Sequence, residues 1–204
     1  MADFELFTPS IRYDNVKIIY RSLLPFVNRE YDIRWTIVYD SWDKIFFEEI
    51  DKPWIRQFTY KEPNGVAGNH QRDYALDTID GNGICFSLDD DTIIHNNFFP
   101  ILYKAAKENP GKSGFLFHDQ LSDDSIIKAL PRGIKEGKVG NQNFAVKRTL
   151  IGMLRHNIHY CADGEFIEKL YNQNPSKFMF IDKVLAYHNR LLFRTDWEEL
   201  ILKE

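Results

Sequence analysis

The chain has 204 residues, enough for one domain with a sizeable core, and its 44% hydrophobic and 27% charged residues are an ordinary globular balance. Lys and Arg number 26 against 30 Asp and Glu, so a net charge of −4 provides no overall field for nucleic acid or anionic lipid. The two cysteines, Cys85 and Cys161, exclude a disulfide framework and a four-cysteine zinc site, and no apolar run approaches the roughly 20 residues that span a bilayer.

Short apolar runs alternate with helical patterns, as in an α/β domain. Residues 4–7 read as a first strand. Val16, Ile19, Tyr20, Leu23 and Leu24 follow at helical spacing, with Asp14 placed to cap that helix and Pro25 to end it. The run WTIVY at 35–39 is continuously apolar, as expected of a strand buried on both faces. Ser41 is placed to cap a short helix carrying Ile45, Phe46 and Ile50. A third strand over 55–60 leads into a loop with Pro63, Asn64, Gly65 and Gly68, then a helix over 69–79. The buried strand GICFSL at 83–88 stops at three aspartates. A helix over 97–107 and a strand over 114–117 come next, and the polar, glycine-bearing stretch 119–143 reads as loops. A strand over 143–146, helices near 149–154 and 165–171 and a last strand over 184–187 complete the pattern. Thr195 and Glu198 then form a capping box that opens a terminal helix bearing Trp197, Leu200 and Ile201. The start lacks a basic region followed by an apolar stretch, so the expectation is a soluble cytoplasmic protein folded as one domain over residues 1–204.

Asp89, Asp90 and Asp91 are the most informative residues. Adjacent carboxylates repel unless a cation or water separates them. Hard divalent ions bind through one or two carboxylates plus substrate phosphates, and ligands of open α/β sheets lie at the carboxyl ends of strands. A solvated acidic turn is the bland alternative. Three other phosphate or cation motifs fail on spacing. A dehalogenase-type phosphatase motif is broken by Ile93 and by the strands before it; a P-loop ending at Gly111-Lys112-Ser113 has Ala106 where glycine is required; an EF-hand from Asp80 has Cys85 at its glycine position.

Two further segments carry chemistry. The glycine-bearing loop at 64–68 feeds a helix start, which offers backbone N–H groups to an anion, and Arg72 one turn in adds a bidentate phosphate contact. An ordinary capped loop fits the same residues. Asp163 and Glu165 stand at a turn into a helix, suited either to a general base that deprotonates a hydroxyl or to capping. His156 and His159 have no third ligand in sight and read as structural or acceptor-side residues.

Taken in order, Phe-Thr-Pro-Ser at 7–10, Val-Tyr-Asp-Ser at 38–41, Gly-Asn-His-Gln-Arg-Asp at 68–73, Leu-Asp-Asp-Asp at 88–91, Gly-Asn-Gln-Asn-Phe-Ala-Val-Lys-Arg at 140–148 and Ala-Asp-Gly-Glu-Phe at 162–166 resemble a GT-A-fold glycosyltransferase, family-2-like. The resemblance covers roughly residues 4–189. It implies a three-layer α/β domain with a central mixed, mostly parallel sheet flanked by helices, residues 1–92 forming a nucleotide-sugar half and 93–204 an acceptor half with the C-terminal helix. It also implies a hexosyl- or deoxyhexosyltransferase that uses a UDP- or GDP-type sugar donor, Mn²⁺ or Mg²⁺, and a glycan or other hydroxyl acceptor, with no nucleic-acid partner. By resemblance Thr8 and Asp40 contact the nucleoside, Asn69 and Arg72 lie near the nucleotide, and Asp89, Asp90 and Asp91 serve ribose and metal, with Asp89 and Asp91 the ligands. Asp163 matches the base of inverting members, with Glu165 in reserve, and His188 matches either a third metal ligand or a structural histidine.

The sequence departs from the family pattern at Tyr39-Asp40-Ser41-Trp42, where Asp-Asp-Gly-Ser is common, at Gln71-Arg72-Asp73 for Ala-Arg-Asn, and at Ala162-Asp163 for Glu-Asp. A nucleotidyltransferase or pyrophosphatase would need a Gly-rich basic loop after the first strand, and residues 8–12 have no glycine. The non-enzymatic alternative is a nucleotide-sugar-binding module without turnover, or a domain of a larger protein. Of the 15% aromatic residues most suit the core, and Trp42 and Tyr160 are candidate platforms for sugars or bases.

Overall fold

Burial on both faces of the central strands, with successive side chains entering opposite layers, decides the architecture. In the computed structural model, which describes residues 2–27, 29–61 and 68–193, β1 (Phe4–Ser10), β2 (Ile33–Tyr39), β3 (Ile55–Thr59) and β4 (Ile84–Ser87) are parallel neighbours in the order β3-β2-β1-β4. Phe4, Leu6, Trp35, Ile37, Ile84 and Phe86 bury on one face, against Val16, Ile19 and Leu23 of α1 (Tyr13–Leu23). Phe7, Val38 and Cys85 bury on the other, against Ala75 and Leu76 of α2 (Asn69–Asp77). A strand covered on both faces must be apolar at consecutive positions, which is why WTIVY and GICFSL read as they do.

The remaining strands extend this sheet with mixed polarity. They are β5 (Ile93–Ile94), β6 (Gly114–Gln120), β7 (Ile126–Ile127), β8 (Phe144–Lys147) and β9 (Phe178–Tyr187). The full order among the described residues is β3-β2-β1-β4-β8-β6-β9-β5, with β7 pairing onto β6; β8 is antiparallel to both β4 and β6, and β9 is parallel to β6. Phe98, Phe99 and Leu102 of α3 (Phe98–Glu108) join the α1 layer. The short α4 (Arg148–Ile151) and α5 (Ala162–Gln173) join the α2 layer through Ile151, Phe166, Ile167 and Leu170, and α6 (Arg190–Phe193) follows β9. The result is the three-layer, mixed-sheet α/β domain of the GT-A type. No helix among the described residues is long and apolar enough to cross a membrane.

Local expectations differ from the structure where side chains outcompete helix formation. The helix expected after Ser41 does not form: Ile45 N–H donates to Thr59 Oγ1 at 3.0 Å, Phe47 N–H to Gln57 Oε1 at 3.0 Å, and Gln57 Nε2 to the Phe47 carbonyl at 3.1 Å. Side chains of β3 thus take the backbone groups that a helix would have used, leaving a single 3-10 turn at Glu48–Ile50. Asp14 lies inside the first turn of α1 rather than at its cap, which is Arg12, and Leu24 follows the helix and is exposed. The stretch 119–143 is not all loop, since β6 runs on to Gln120 and pairs with β7. β9 begins six residues before the expected strand: exposed Asp182 and Lys183 interrupt its apolar run at the register shift beside His118, whose Nε2 lies 2.9 Å from Asp182 Oδ1. Pro63, Asn64, Gly65 and the terminal helix predicted from Thr195 and Glu198, with Trp197, Leu200 and Ile201, lie outside the described residues.

Two positions give stability tests. Gly114 faces Phe178 across the β6–β9 register, and a Cβ there would overlap the Phe178 ring. Gly114→Ala is expected to cost about 1–3 kcal/mol in urea unfolding, whereas Gly111→Ala, with open space around it, stays within about 0.5 kcal/mol of the parent. Glu5 on β1 is fully buried with neither carboxyl oxygen hydrogen-bonded. Burial raises its pKa above 4.5, and the charges of Arg56 and Arg34 only partly oppose this. The folded chain therefore holds this proton more tightly than the unfolded chain, so its favourable contribution is complete below pH 4.5 and is lost as pH rises through the raised folded value. Urea midpoints of Glu5→Met measured across pH should gain on the parent as pH rises, then level off.

Candidate functional site

The carboxyl ends of β1, β2 and β4 open into a cleft of about 770 Å³, closed on the far side by the segments 137–142, 160–163 and 188–192. Among the predicted site residues, Asp40, Asn69, Arg72, Asp89, Asp90, Asp91 and Asp163 line it, together with His188. Gly68 makes the approach possible. It caps α2 at φ +75°, and a Cβ would stand 2.7 Å from that of Pro9 on β1.

Arg72 is the polar hub. Only 5% exposed, it donates from Nε to Ser87 Oγ at 3.0 Å, from Nη1 to Asn69 Oδ1 at 3.1 Å and from Nη2 to Asp89 Oδ1 at 2.7 Å. The Asn141 amide, once its oxygen is turned to Arg72, accepts from the second hydrogen of Nη2 at 3.2 Å. Gln142 Nε2 donates to the other Asp89 oxygen at 2.6 Å. Burial alone would raise the Asp89 pKa, but the Arg72 charge and these hydrogen bonds outweigh it and hold the carboxyl below its usual range. Asn69 extends the network by donating to the carbonyls of Asn157 and His159 at 3.2 and 2.9 Å.

The three aspartates have different surroundings. Asp90 is 3% exposed and its Oδ2 accepts the backbone N–H groups of Ile11 and Arg12, each at 2.8 Å, while Oδ1 takes Arg12 Nη1 at 2.5 Å. Asn15 donates to its carbonyl at 2.8 Å. Asp90 therefore staples the β1–α1 turn to the end of β4. Asp91 is differently placed: Arg12 Nη1 is 3.3 Å away and Thr92 Oγ1 donates to it at 3.3 Å. Burial and the neighbouring charge of Asp89 push its carboxyl up to about 6. His188 Nδ1 lies 3.5 Å from Asp119 Oδ2. Burial works against protonation of His188, but Asp119, Asp89 and Asp91 outweigh it and raise its pKa.

Other predicted residues are held elsewhere. Thr8 does not line the cleft: it is fully buried, donates to the Leu88 carbonyl at 2.6 Å and accepts from Trp35 Nε1 at 2.8 Å. Its hydroxyl is thus committed to the core, and Pro9, Ser10 and Ile11 line the cleft in its place. Glu165 is also outside the lining. Lys169, His159 and Asn157 bind its carboxylate at 2.6, 2.9 and 2.7 Å and lower its pKa to about 2, too acidic for a base working near neutral pH. Asp163 does face the cleft, from the first turn of α5; its Oδ2 accepts the Asn141 N–H at 3.1 Å and its Oδ1 the Gly164 N–H at 2.8 Å. Asp40 pairs with Lys61 Nζ at 3.0 Å. His156 is structural: it is buried, bonded through Nδ1 to Asp73 at 2.7 Å and stacked on Phe166. Tyr160 lines the cleft and is 82% exposed, whereas the exposed Trp42 is not part of the lining. The sequence reading missed Arg12 and Gln142, whose only signal is their position in loops that the fold brings against the acidic triplet.

The acidic residues of the cleft differ in their capacity to hold Mn²⁺ or Mg²⁺. Among the described residues no group of three His, Cys, Asp or Glu side chains converges in a metal-ligand arrangement. Asp89 is taken by Arg72 and Gln142, and Asp90 by Arg12 and the backbone. Asp91 remains, a buried carboxylate crowded by like charge, with His188 near enough to feel its field. One carboxylate completed by phosphate and water oxygens suits either hard ion, and the His188 imidazole, once neutral, adds a nitrogen donor better suited to Mn²⁺ than to Mg²⁺; to that extent the residues fit. A broader depression of about 820 Å³ lies at the opposite ends of β1–β3; its lining is also charged, with Asp3, Arg29, Glu30, Asp32, Arg34 and Lys52, but it lies away from the carboxyl ends of the strands and holds none of the predicted site residues.

Layer order, sheet order and a cleft at the carboxyl ends of the parallel strands define a GT-A-type domain. No family model and no curated protein matches the sequence. Solved structures do: S. aureus TarS 1–349 superposes with a TM-score of 0.66 at 13% identity over 91% of this chain, and its complex with UDP-GlcNAc with 0.64 at 14% identity. The complex of TarS 1–349 with UDP gives 0.66 at 14% identity. The chain spans 58–60% of the TarS 1–349 structures and 36% of the longer TarS structure.

The different settings of Asp90 and Asp91 predict stability changes of different size. Asp90→Ala strips charged hydrogen bonds from a buried turn and should cost about 2 kcal/mol in chemical unfolding. Asp91→Asn relieves like-charge crowding and should leave stability unchanged or slightly raised. Equal losses from the two would contradict the division.

Proposed function

We propose that the protein is a glycosyltransferase that moves a sugar from a UDP- or GDP-type donor to an acceptor hydroxyl, with inversion at the transferred carbon. The observation that carries this reading is the meeting of Asp40, Arg72, Asp91 and Asp163, drawn from four separate segments, in one cleft of a GT-A-type fold. The UDP-GlcNAc and UDP complexes of TarS support a nucleotide-sugar donor.

In this reading Asp40 accepts a hydrogen bond from the base edge of the nucleotide, with Lys61 holding its carboxylate in place. Arg72 acts through others: it fixes Asp89, Asn69 and Asn141 so that the floor of the cleft keeps its shape. Asp91 and His188 would hold a Mn²⁺ or Mg²⁺ ion, which when bound supplies positive charge beside the departing diphosphate. Asp163 is the base. Its carboxylate is oriented by the N–H groups of Asn141 and Gly164 and accepts the proton of the incoming hydroxyl as that oxygen attacks the sugar. Tyr160 beside it offers an exposed aromatic face to the acceptor.

The test is a titration of UDP-GlcNAc and GDP-mannose with and without Mn²⁺, followed by release of nucleoside diphosphate. Binding of one donor that strengthens with Mn²⁺, and turnover that falls roughly 10²–10⁴-fold in Asp163→Asn with donor affinity retained, is expected. Donor binding without diphosphate release across an acceptor panel would instead indicate a binding module, and no donor binding would refute the proposal.

A further inference from the structure

The position of Arg12 has a consequence for how the cleft takes up its ligands. Its Nη1 lies between two carboxylates, 2.5 Å from Asp90 Oδ1 and 3.3 Å from Asp91 Oδ2. The first contact is short and anchored, because Asp90 is buried and also grips the backbone N–H groups of Ile11 and Arg12. The second is long. More than a third of the Arg12 side chain is solvent-accessible, and the residue lines the cleft. Among the described residues, no other Lys or Arg lies within ion-pair distance of Asp91, since Arg72 is engaged with Asp89.

We propose that Arg12 is an exchangeable counter-ion: pivoting on Asp90, its guanidinium neutralises Asp91 in the ligand-free cleft and turns to the donor diphosphate once a divalent cation takes Asp91. This rests on the nucleotide-sugar reading above. The physical reason is competition for one carboxylate. A divalent ion at Asp91 and a guanidinium beside the same oxygen repel each other, so metal binding without nucleotide must give up the Arg12 contact. A diphosphate reverses that balance by offering the displaced guanidinium oxygen atoms in the geometry its fork fits best. Metal and nucleotide then strengthen each other by the same factor, as linkage requires, and part of that coupling passes through one side chain. The turn carrying Arg12 stays in place throughout, because Asp90 holds it by backbone as well as by side chain.

The experiment is a Mn²⁺ titration followed by electron paramagnetic resonance of free Mn²⁺, with and without UDP. It compares the parent protein with Arg12→Met, Arg12→Lys and Asp91→Asn. Removing the competing cation should tighten binding of Mn²⁺ alone by about three- to tenfold in Arg12→Met. The factor by which UDP enhances Mn²⁺ binding should fall at least about fivefold, a typical size for coupling between sites. Arg12→Lys keeps the charge at Asp90 but lacks the fork, so it should fold if Arg12→Met does not and should lose most of the UDP enhancement. Asp91→Asn should abolish Mn²⁺ binding. Unchanged Mn²⁺ affinity and unchanged UDP enhancement in both Arg12 variants, weaker Mn²⁺ binding in Arg12→Met, or no Mn²⁺ binding by any of the four proteins would each overturn the proposal. If neither UDP nor GDP in its place has any effect on the parent protein, the nucleotide-sugar reading and the diphosphate half of the exchange both fall. The Mn²⁺-only comparison still decides whether Arg12 is the counter-ion of Asp91.

Discussion

A single buried guanidinium cross-braces the cleft. Arg72 carries a full charge at 5% exposure, a position that is unfavourable unless its donors and its charge are matched. The match comes from Ser87 and Asp89 at the end of β4, Asn69 on the same helix and Asn141 from the loop before β8. These partners come from the end of β4, the start of α2 and the segment before β8, so satisfying one side chain fixes those three elements relative to one another. Asn69 carries the brace on to residues 157–159, and Asp73 continues it through His156. The floor and the rim at residues 156–159 are therefore one connected polar structure resting on two apolar layers.

The same constraint explains the division of labour in the acidic triplet. Asp89 is spent on Arg72 and Asp90 on the β1–α1 turn, which leaves Asp91 as the carboxylate with the weakest charge match, a single 3.3 Å contact from Arg12. Three adjacent acids can be tolerated because two have built-in partners. A triplet free of such partners would be a solvated turn, and sequence alone does not separate the two cases. What separates them is Arg12 and Gln142, brought to the site by loops distant in the chain.

That difference marks how far the residues could be read. Strands buried on both faces announce themselves as apolar runs, so β1, β2, β4 and the order of the motifs were legible, and with them the GT-A-type fold. Side-chain competition was not: nothing in residues 41–50 foretells that Gln57 and Thr59 would take their backbone groups, and nothing in Thr8 shows that Trp35 would claim its hydroxyl. Glu165 illustrates the same limit in part: its i,i+4 pairing with Lys169 follows from helix spacing, but the contacts from His159 and Asn157 depend on how a loop packs against that helix. A fold shared with TarS at 12–14% identity follows the same logic. Strands buried on both faces and a few polar anchors constrain the architecture, while most identities are free to change.

The central claim is that this cleft, braced by Arg72 and left with one open carboxylate, receives a nucleotide together with a divalent ion. Hydrogen–deuterium exchange with and without Mn²⁺ and each of UDP and GDP tests it most directly. Protection concentrated in residues 9–12, 88–92, 138–142 and 188–192, with none around Asp3, Tyr31 and Asp32, is the predicted result. Unchanged exchange in those four segments, or protection at the opposite ends of the strands, would contradict it.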